Sequence, residues 1–121
     1  MSQKPINPNN ISRLAEGTVI TGGNIKSEGD FRFDGEFAGE IFSKSRVIVG
    51  EHSKLSASIK CDNLDVWGNL EGDVLVRDTM TLKAGASYRG HISSGRLVIE
   101  LGASFEGDNR HITEEEFEKS A

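Results

Sequence analysis

A pair of apolar residues separated by one residue recurs along this chain in five units, at nearly constant steps. The pairs are Phe31/Phe33, Val47/Val49, Leu64/Val66, Met80/Leu82 and Leu97/Ile99. Each pair is followed by a further apolar residue (Phe37, Leu55, Leu70, Tyr88, Phe105) and, two positions later, by a small one (Gly39, Ala57, Gly72, Gly90, Gly107). Apolar residues at every second position indicate strands that bury alternate side chains.

The length of the unit decides which kind of repeat protein these strands form. Units of roughly 16–17 residues are too short to contain a helix. They suit one winding of about three short strands, each paired in parallel with its equivalent in the next winding. The sequence therefore predicts an all-β, single-domain, three-sided parallel β-helix over residues 17–108. Its first winding is shorter and irregular, and it contains Val19, Ile20 and Ile25.

Glycines have two expected roles in this β-helix. One set lies in the gaps after the apolar pairs (Gly35, Gly50, Gly68, Gly85, Gly102). These residues fit corners, where a positive φ is cheap only for glycine. The recurring small residue that begins with Gly39 would leave room where the walls of a narrow core converge.

The segments outside the repeat differ from it in composition. Residues 1–16 are polar and contain two prolines, so we expect a disordered tail. Residues 109–121 form an acidic tail, in which Thr113 and Glu116 have the spacing of a helix capping box.

Composition and charge argue against several classes of function. The net charge is −5 and the 14 Lys and Arg residues are scattered, which disfavours nucleic acid as a partner. Cys61 is the only cysteine, so one chain can build neither a disulfide nor a Cys-based zinc site. The chain has neither the pattern of a secretory signal nor an apolar stretch long enough for a bilayer. We expect a cytoplasmic protein.

Candidate chemistry on the outer surface is weak. Two outward columns carry charged residues (Ala38, Ser56, Glu71, Arg89, Glu106 and Glu40, Ser58, Asp73, His91, Asp108). Some β-helix enzymes place carboxylates on such a face to act on carbohydrates, but a solvated strand face has the same appearance. His52, His91 and His111 do not converge in this register. We therefore expect no catalytic, metal or cofactor site. A β-helix enzyme that acts on acyl or carbohydrate substrates remains the alternative. An acyltransferase of the hexapeptide type would need a strict six-residue repeat, from which the steps of this chain depart.

Three stretches of the sequence are similar to those of a known family. The stretches 31–41 (FRFDGEFAGEI), 46–50 (RVIVG) and 97–107 (LVIELGASFEG) resemble the bactofilins, bacterial polymer-forming cytoskeletal proteins. The resemblance implies a right-handed β-helix of about six windings. It also implies assembly through the two ends, without nucleotide, into filaments that lack overall polarity. Such filaments act as scaffolds for cell shape and for envelope machinery, including cell-wall enzymes.

The ends of the β-helix are the candidate functional site. A solenoid must cap its terminal windings or leave its core exposed, and neither flank has a strong amphipathic cap. We expect a polymer interface at the C-terminal end (Leu97, Ile99, Leu101, Phe105) and another at the N-terminal end (Val19, Ile20, Ile25). Family resemblance places Phe105 at the polymer contact. Alternatively, Phe105 closes the core beneath a folded-back tail.

Membrane contact is a separate expectation, which the resemblance suggests only weakly. Many bactofilins carry a short apolar N-terminal segment that attaches the filament to the membrane. Here the large apolar residues that follow Met1 in the tail are Ile6, Ile11 and Leu14. We therefore expect weak membrane association at most, at the inner face of the cytoplasmic membrane.

Overall fold

The computed structural model describes residues 12–119. It contains nine strands and one short helix: β1 (Ser12–Leu14), β2 (Val19–Ser27), β3 (Phe31–Phe33), β4 (Glu36–Ser43), β5 (Arg46–Val49), β6 (Lys54–Val66), β7 (Asn69–Leu82), β8 (Ser87–Ile99), β9 (Ser104–His111) and α1 (Glu114–Lys119). All strand pairs are parallel and belong to one sheet. The predicted all-β solenoid is confirmed.

The sheet coils into about six windings. In chain order, windings 1 to 6 cover 12–27, 31–43, 46–61, 63–76, 79–94 and 96–111. Each winding contributes one segment to each of three faces. Face A begins with 12–14, face B with 19–21 and face C with 24–27, and later segments stack in register. One strand therefore runs through several faces, since β7 alone covers 69–82.

The core is a set of stacked inward columns, as the alternating pattern predicts. On face B one column reads Phe37, Leu55, Leu70, Tyr88, Phe105, in the predicted order. The first four of these side chains are at most 4% exposed. Cys61 is also fully buried in this core. Interior windings bury their apolar residues between the winding above and the winding below, at a spacing of ~4.8 Å.

The glycines between faces B and C are needed for a reason other than the predicted one, which Ala57 of the same column does not share. Gly90 has φ +137°, and an added Cβ would overlap the carbonyl oxygen of Gly72 in the winding beneath. The same two features recur at Gly39, Gly72 and Gly107. Here the constraint is backbone conformation and close stacking of peptide groups, whereas the sequence suggested room for converging core walls.

Corner glycines divide into two kinds, which corrects the prediction for three of them. Gly85 and Gly102 adopt the expected positive φ, but Gly35, Gly50 and Gly68 do not. At these three positions an added Cβ would overlap oxygen atoms of a neighbouring winding. Close approach between windings therefore explains them.

The structure differs from the expected tails at both borders of the solenoid. β1 (Ser12–Leu14) lies within the segment expected to be disordered, and it pairs with β3. Residues 1–11 of that segment lie outside the described residues. At the other border β9 continues to His111, and α1 follows it. The solenoid is therefore longer at both ends than the expected 17–108.

The stacked glycines generate a test of fold stability. Replacing Gly90 with Ala imposes a positive φ on a residue with a Cβ, at a cost of ~1–3 kcal/mol, and adds the overlap with Gly72. We expect the denaturant midpoint, followed by far-ultraviolet circular dichroism, to fall clearly. Gly29→Ala is the control, because its added Cβ meets open space at an ordinary φ. Equal midpoints for the two variants would contradict the stacking argument.

Candidate assembly interface

The C-terminal end leaves the apolar residues of winding 6 without a covering winding. In winding 5, Leu82 and Tyr88 are at most 1% exposed. Their partners in winding 6 are Ile99, which is 45% exposed, and Phe105, which is half-buried. Leu101, at the last A–B corner, is 93% exposed. Exposed apolar side chains grouped at one end are typical of a contact surface.

Phe105 extends the aromatic part of the face B column. Its ring stacks on that of Tyr88, with 5.8 Å between the ring centroids and 23° between the planes. The hydroxyl of Tyr88 donates to the backbone carbonyl of Gly72, at 2.6 Å. Tyr88 is thus fixed from below, and it supports Phe105 at the open end. On face A, Leu97 pairs in register with Met80 and is half-buried against the core.

The apolar surface does not extend to the third side of this end. On face C, Asn109 takes the register of buried Ile92, and His111 takes that of buried Ser94. Both residues of winding 6 are exposed. The apolar part of the C-terminal end is therefore confined to faces A and B.

Helix α1 packs against the outer side of face C. It begins with the predicted capping box: Thr113 Oγ1 accepts a hydrogen bond from the Glu116 backbone NH, and Glu116 Oε1 accepts one from that of Thr113. Phe117 is buried, with Lys60 Nζ 4.9 Å and the Arg77 guanidinium 4.7 Å from its ring centroid. Arg77 also pairs with the carboxylates of Asp62, Glu114 and Glu118. These contacts hold the helix at the side of windings 3 and 4, and Glu116 also pairs with Arg110 of winding 6 at 3.2 Å.

The N-terminal end shows a similar loss of burial. In winding 2, Phe33, Phe37 and Ile41 are at most 2% exposed. Their partners in winding 1 (Leu14, Ile20, Ile25) are only half-buried. No winding among the described residues covers them. Apolar side chains of all three faces thus reach this end.

Two residues of the N-terminal end depart from the sequence-based selection. Val19 is 63% exposed and pairs in register with Glu36, an exposed residue, so it lies on the outside of face B. Leu14 belongs to the end but was assigned to the tail. The regular repeat did not reveal it, because β1 pairs with β3 at a longer offset along the chain than later windings show on face A.

Asp34 joins windings 1 and 2 at the corner between faces A and B. The residue is 6% exposed, and its Oδ2 accepts hydrogen bonds from Arg13 Nε at 2.6 Å and from Arg32 Nε at 2.9 Å. Burial by itself raises the pKa of Asp34, but the guanidinium groups of Arg32 and Arg13 outweigh it and hold that pKa below its ordinary value. The resulting stabilisation is present above the ordinary Asp pKa and is lost as the pH falls through the lowered one.

The remaining ionisable and nucleophilic side chains among residues 12–119 do not cluster into a reactive site. His91 Nδ1 lies 3.1 Å from Asp108 Oδ2, and Arg89 Nε lies 3.2 Å from Glu106 Oε1, with all four side chains exposed. Burial raises the pKa of the Cys61 thiol. Across the described residues no group of three or more His, Cys, Asp or Glu side chains is arranged to hold a metal ion. In the same range no helix is long and apolar enough to cross a membrane.

Comparison with known proteins gives a family. The sequence model of the bactofilin family, described as polymer-forming cytoskeletal, matches residues 12–110. The chain belongs to the bactofilin family. Bactofilin BacO of Myxococcus xanthus (strain DK1622) is 28% identical over 91 residues, which are 75% of this chain and 72% of that protein.

A solved bactofilin structure confirms the fold. It is a cryo-EM reconstruction of Thermus thermophilus bactofilin double helical filaments, and the match has a TM-score of 0.77 at 18% identity. It covers 84% of this chain and 99% of that chain. Since bactofilins form polymers, the surfaces through which copies of this chain meet are its candidate functional site. The two ends are the strongest candidates among the described residues.

The lateral position of α1 generates a test of whether this bactofilin is capped by its own tail. Ending the chain after Ile112 removes the helix, with the Glu116 carboxylate that pairs with Arg110 of winding 6, but keeps β9 and the apolar residues of both ends. We expect this truncated protein to form filaments as the full chain does, as judged by negative-stain electron microscopy. Loss of filaments on truncation would mean that the C-terminal helix is itself an assembly element.

Proposed function

We propose that this bactofilin assembles end to end into filaments that require no nucleotide. The observation that carries the proposal is the contrast between windings. Interior windings bury their apolar columns almost completely, whereas the same columns are partly exposed in windings 1 and 6. A second copy at each end would supply the missing neighbour. Assembly driven by this burial needs no energy from nucleotide hydrolysis.

Like ends meeting like ends would give filaments without overall polarity. A contact between two C-terminal ends is two-fold symmetric, so each apolar residue is used twice. Fully burying one large apolar side chain contributes ~1.5–3 kcal/mol before the costs of association. One end alone would give a dimer, and two contacting ends per subunit propagate a fibre.

The cellular role that we propose is that of a scaffold. A rod of stacked strands is rigid, and repetition of the subunit presents the same side faces at regular intervals along a filament. We place these filaments in the cytoplasm, at or near the inner face of the membrane, where they would support cell shape. Cell-wall enzymes or envelope proteins are the proposed partners, and nucleic acid is not. Support comes from family membership and from the acidic net charge of −5.

Two substitutions at the C-terminal end test the proposal. Leu101→Arg changes a side chain that is 93% exposed, so the fold should be unaffected. Phe105→Arg removes the ring that stacks on Tyr88 at the end of the column. Each places like charges near one another in a two-fold contact, in addition to losing apolar burial. We expect both variants to form dimers through the N-terminal ends, measured by analytical ultracentrifugation, with an unchanged β spectrum.

Controls separate assembly from folding. Trp67 is an exposed aromatic residue at the side of winding 4, so Trp67→Gln should leave the filaments intact. Leu70→Arg buries an unpaired charge in the middle of the core and should unfold the chain. Long filaments formed by both Leu101→Arg and Phe105→Arg would show that the C-terminal end is not the contact.

A further inference from the structure

The corner occupied by Asp34 gathers contacts from three windings. Its Oδ2 accepts hydrogen bonds from Arg13 of winding 1 and Arg32 of winding 2. Its backbone NH donates to the Leu14 carbonyl oxygen at 2.7 Å. On the other side, its carboxylate occupies the space that a Cβ on Gly50 of winding 3 would need. The position of the carboxylate is therefore determined from both sides.

Strand β1 has few other means of staying in place. It is three residues long, it is the terminal strand of face A, and β3 is its only partner in the sheet among the described strands. Leu14 is half-buried and Arg13 is exposed. A short edge strand of this kind is expected to unfold locally with ease, because the small apolar area that it buries hardly offsets the conformational entropy gained when the strand detaches. The Arg13 pair adds a charge-assisted link from this strand to a largely buried carboxylate.

A second Arg–Asp pair that begins on face A has a different setting. Arg46 Nη1 lies 2.6 Å from Asp65 Oδ2 on face A and joins windings 3 and 4. Both of those windings are held by neighbours above and below. Loss of that pair leaves its strands fixed, whereas loss of the Asp34 pair affects a strand with a neighbour on one side only.

We propose that Asp34 is a positioning residue for the N-terminal assembly surface, which holds β1 through Arg13 so that Leu14 stands beside Ile20 and Ile25 as the surface for a second copy of the chain. The inference rests on the proposed end-to-end function. It adds face A of winding 1 to the N-terminal assembly surface. This face is supplied by β1, which lies in the segment that the sequence predicted to be a tail. Asp34 does not itself contact the second copy.

Arg13→Gln and Asp34→Asn test the inference in the full chain, because both keep the side-chain size similar and remove one charge. We expect the subunit concentration needed for filaments to rise by at least about tenfold for both, as befits loss of a charged hydrogen bond. Below that concentration, both variants should form dimers joined through their C-terminal ends. Hydrogen exchange should accelerate at 12–14 while the circular dichroism spectrum is unchanged. Arg13→Lys keeps the charge and should restore much of the assembly.

Arg46→Gln is the matched control, since Arg46, like Arg13, lies on face A and pairs with an aspartate of the next winding at 2.6 Å. It should polymerise as the unmodified chain does. A combination of Arg13→Gln with Phe105→Arg should be monomeric at concentrations at which Phe105→Arg alone is dimeric, because each change weakens a different end. Unchanged filaments from Arg13→Gln and Asp34→Asn would overturn the inference, as would an equal loss in Arg46→Gln. If Phe105→Arg still forms filaments while Arg13→Gln and Asp34→Asn lose them, the proposed C-terminal contact fails instead.

Discussion

Each winding of this solenoid buries its apolar side chains only against the windings directly above and below it. Parallel strands stacked in register place equivalent residues ~4.8 Å apart, so every inward column is a chain of nearest-neighbour contacts. Tyr88 illustrates the result, because it is buried while Phe105, the next residue in its column, is half-buried. The exposed ends follow from the same contacts that stabilise the middle, and assembly would extend those contacts between subunits.

Backbone geometry limits how the windings can approach one another. Gly90 combines a positive φ with a carbonyl oxygen of the winding beneath at the place where a Cβ would be. The choice of residue at the corner that precedes face C is therefore as strictly constrained as it is in the core. In contrast, the outer side of each face carries exposed ion pairs such as Arg89–Glu106, which contribute little to stability. The outer surface can therefore change composition without altering the rod.

Sequence reasoning obtained most of the fold and part of the candidate interface. The period-two pattern was sufficient for face B, since register depends only on which residues alternate inward. Leu14 was missed because its winding is irregular, with a bulge between Thr21 and Gly23, and the step from Leu14 to Phe33 is longer than that of the regular repeat. The close approach at Gly50 could not be predicted, because it depends on the three-dimensional position of Asp34. Likewise, the place of α1 depends on Phe117 meeting Lys60 and Arg77, which lie far away in the sequence.

The axial repeat of the filament is the measurement that bears most directly on end-to-end assembly. About six windings at ~4.8 Å give a subunit rise of ~29 Å along the solenoid axis. Cryo-electron microscopy of filaments grown without nucleotide should therefore show a layer line at ~4.8 Å along the filament axis. It should also show a subunit rise of ~29 Å, or twice that value if neighbours are related by two-fold axes. A strand spacing of ~4.8 Å perpendicular to the filament axis would mean that the subunits associate through their side faces, and it would contradict assembly through the ends.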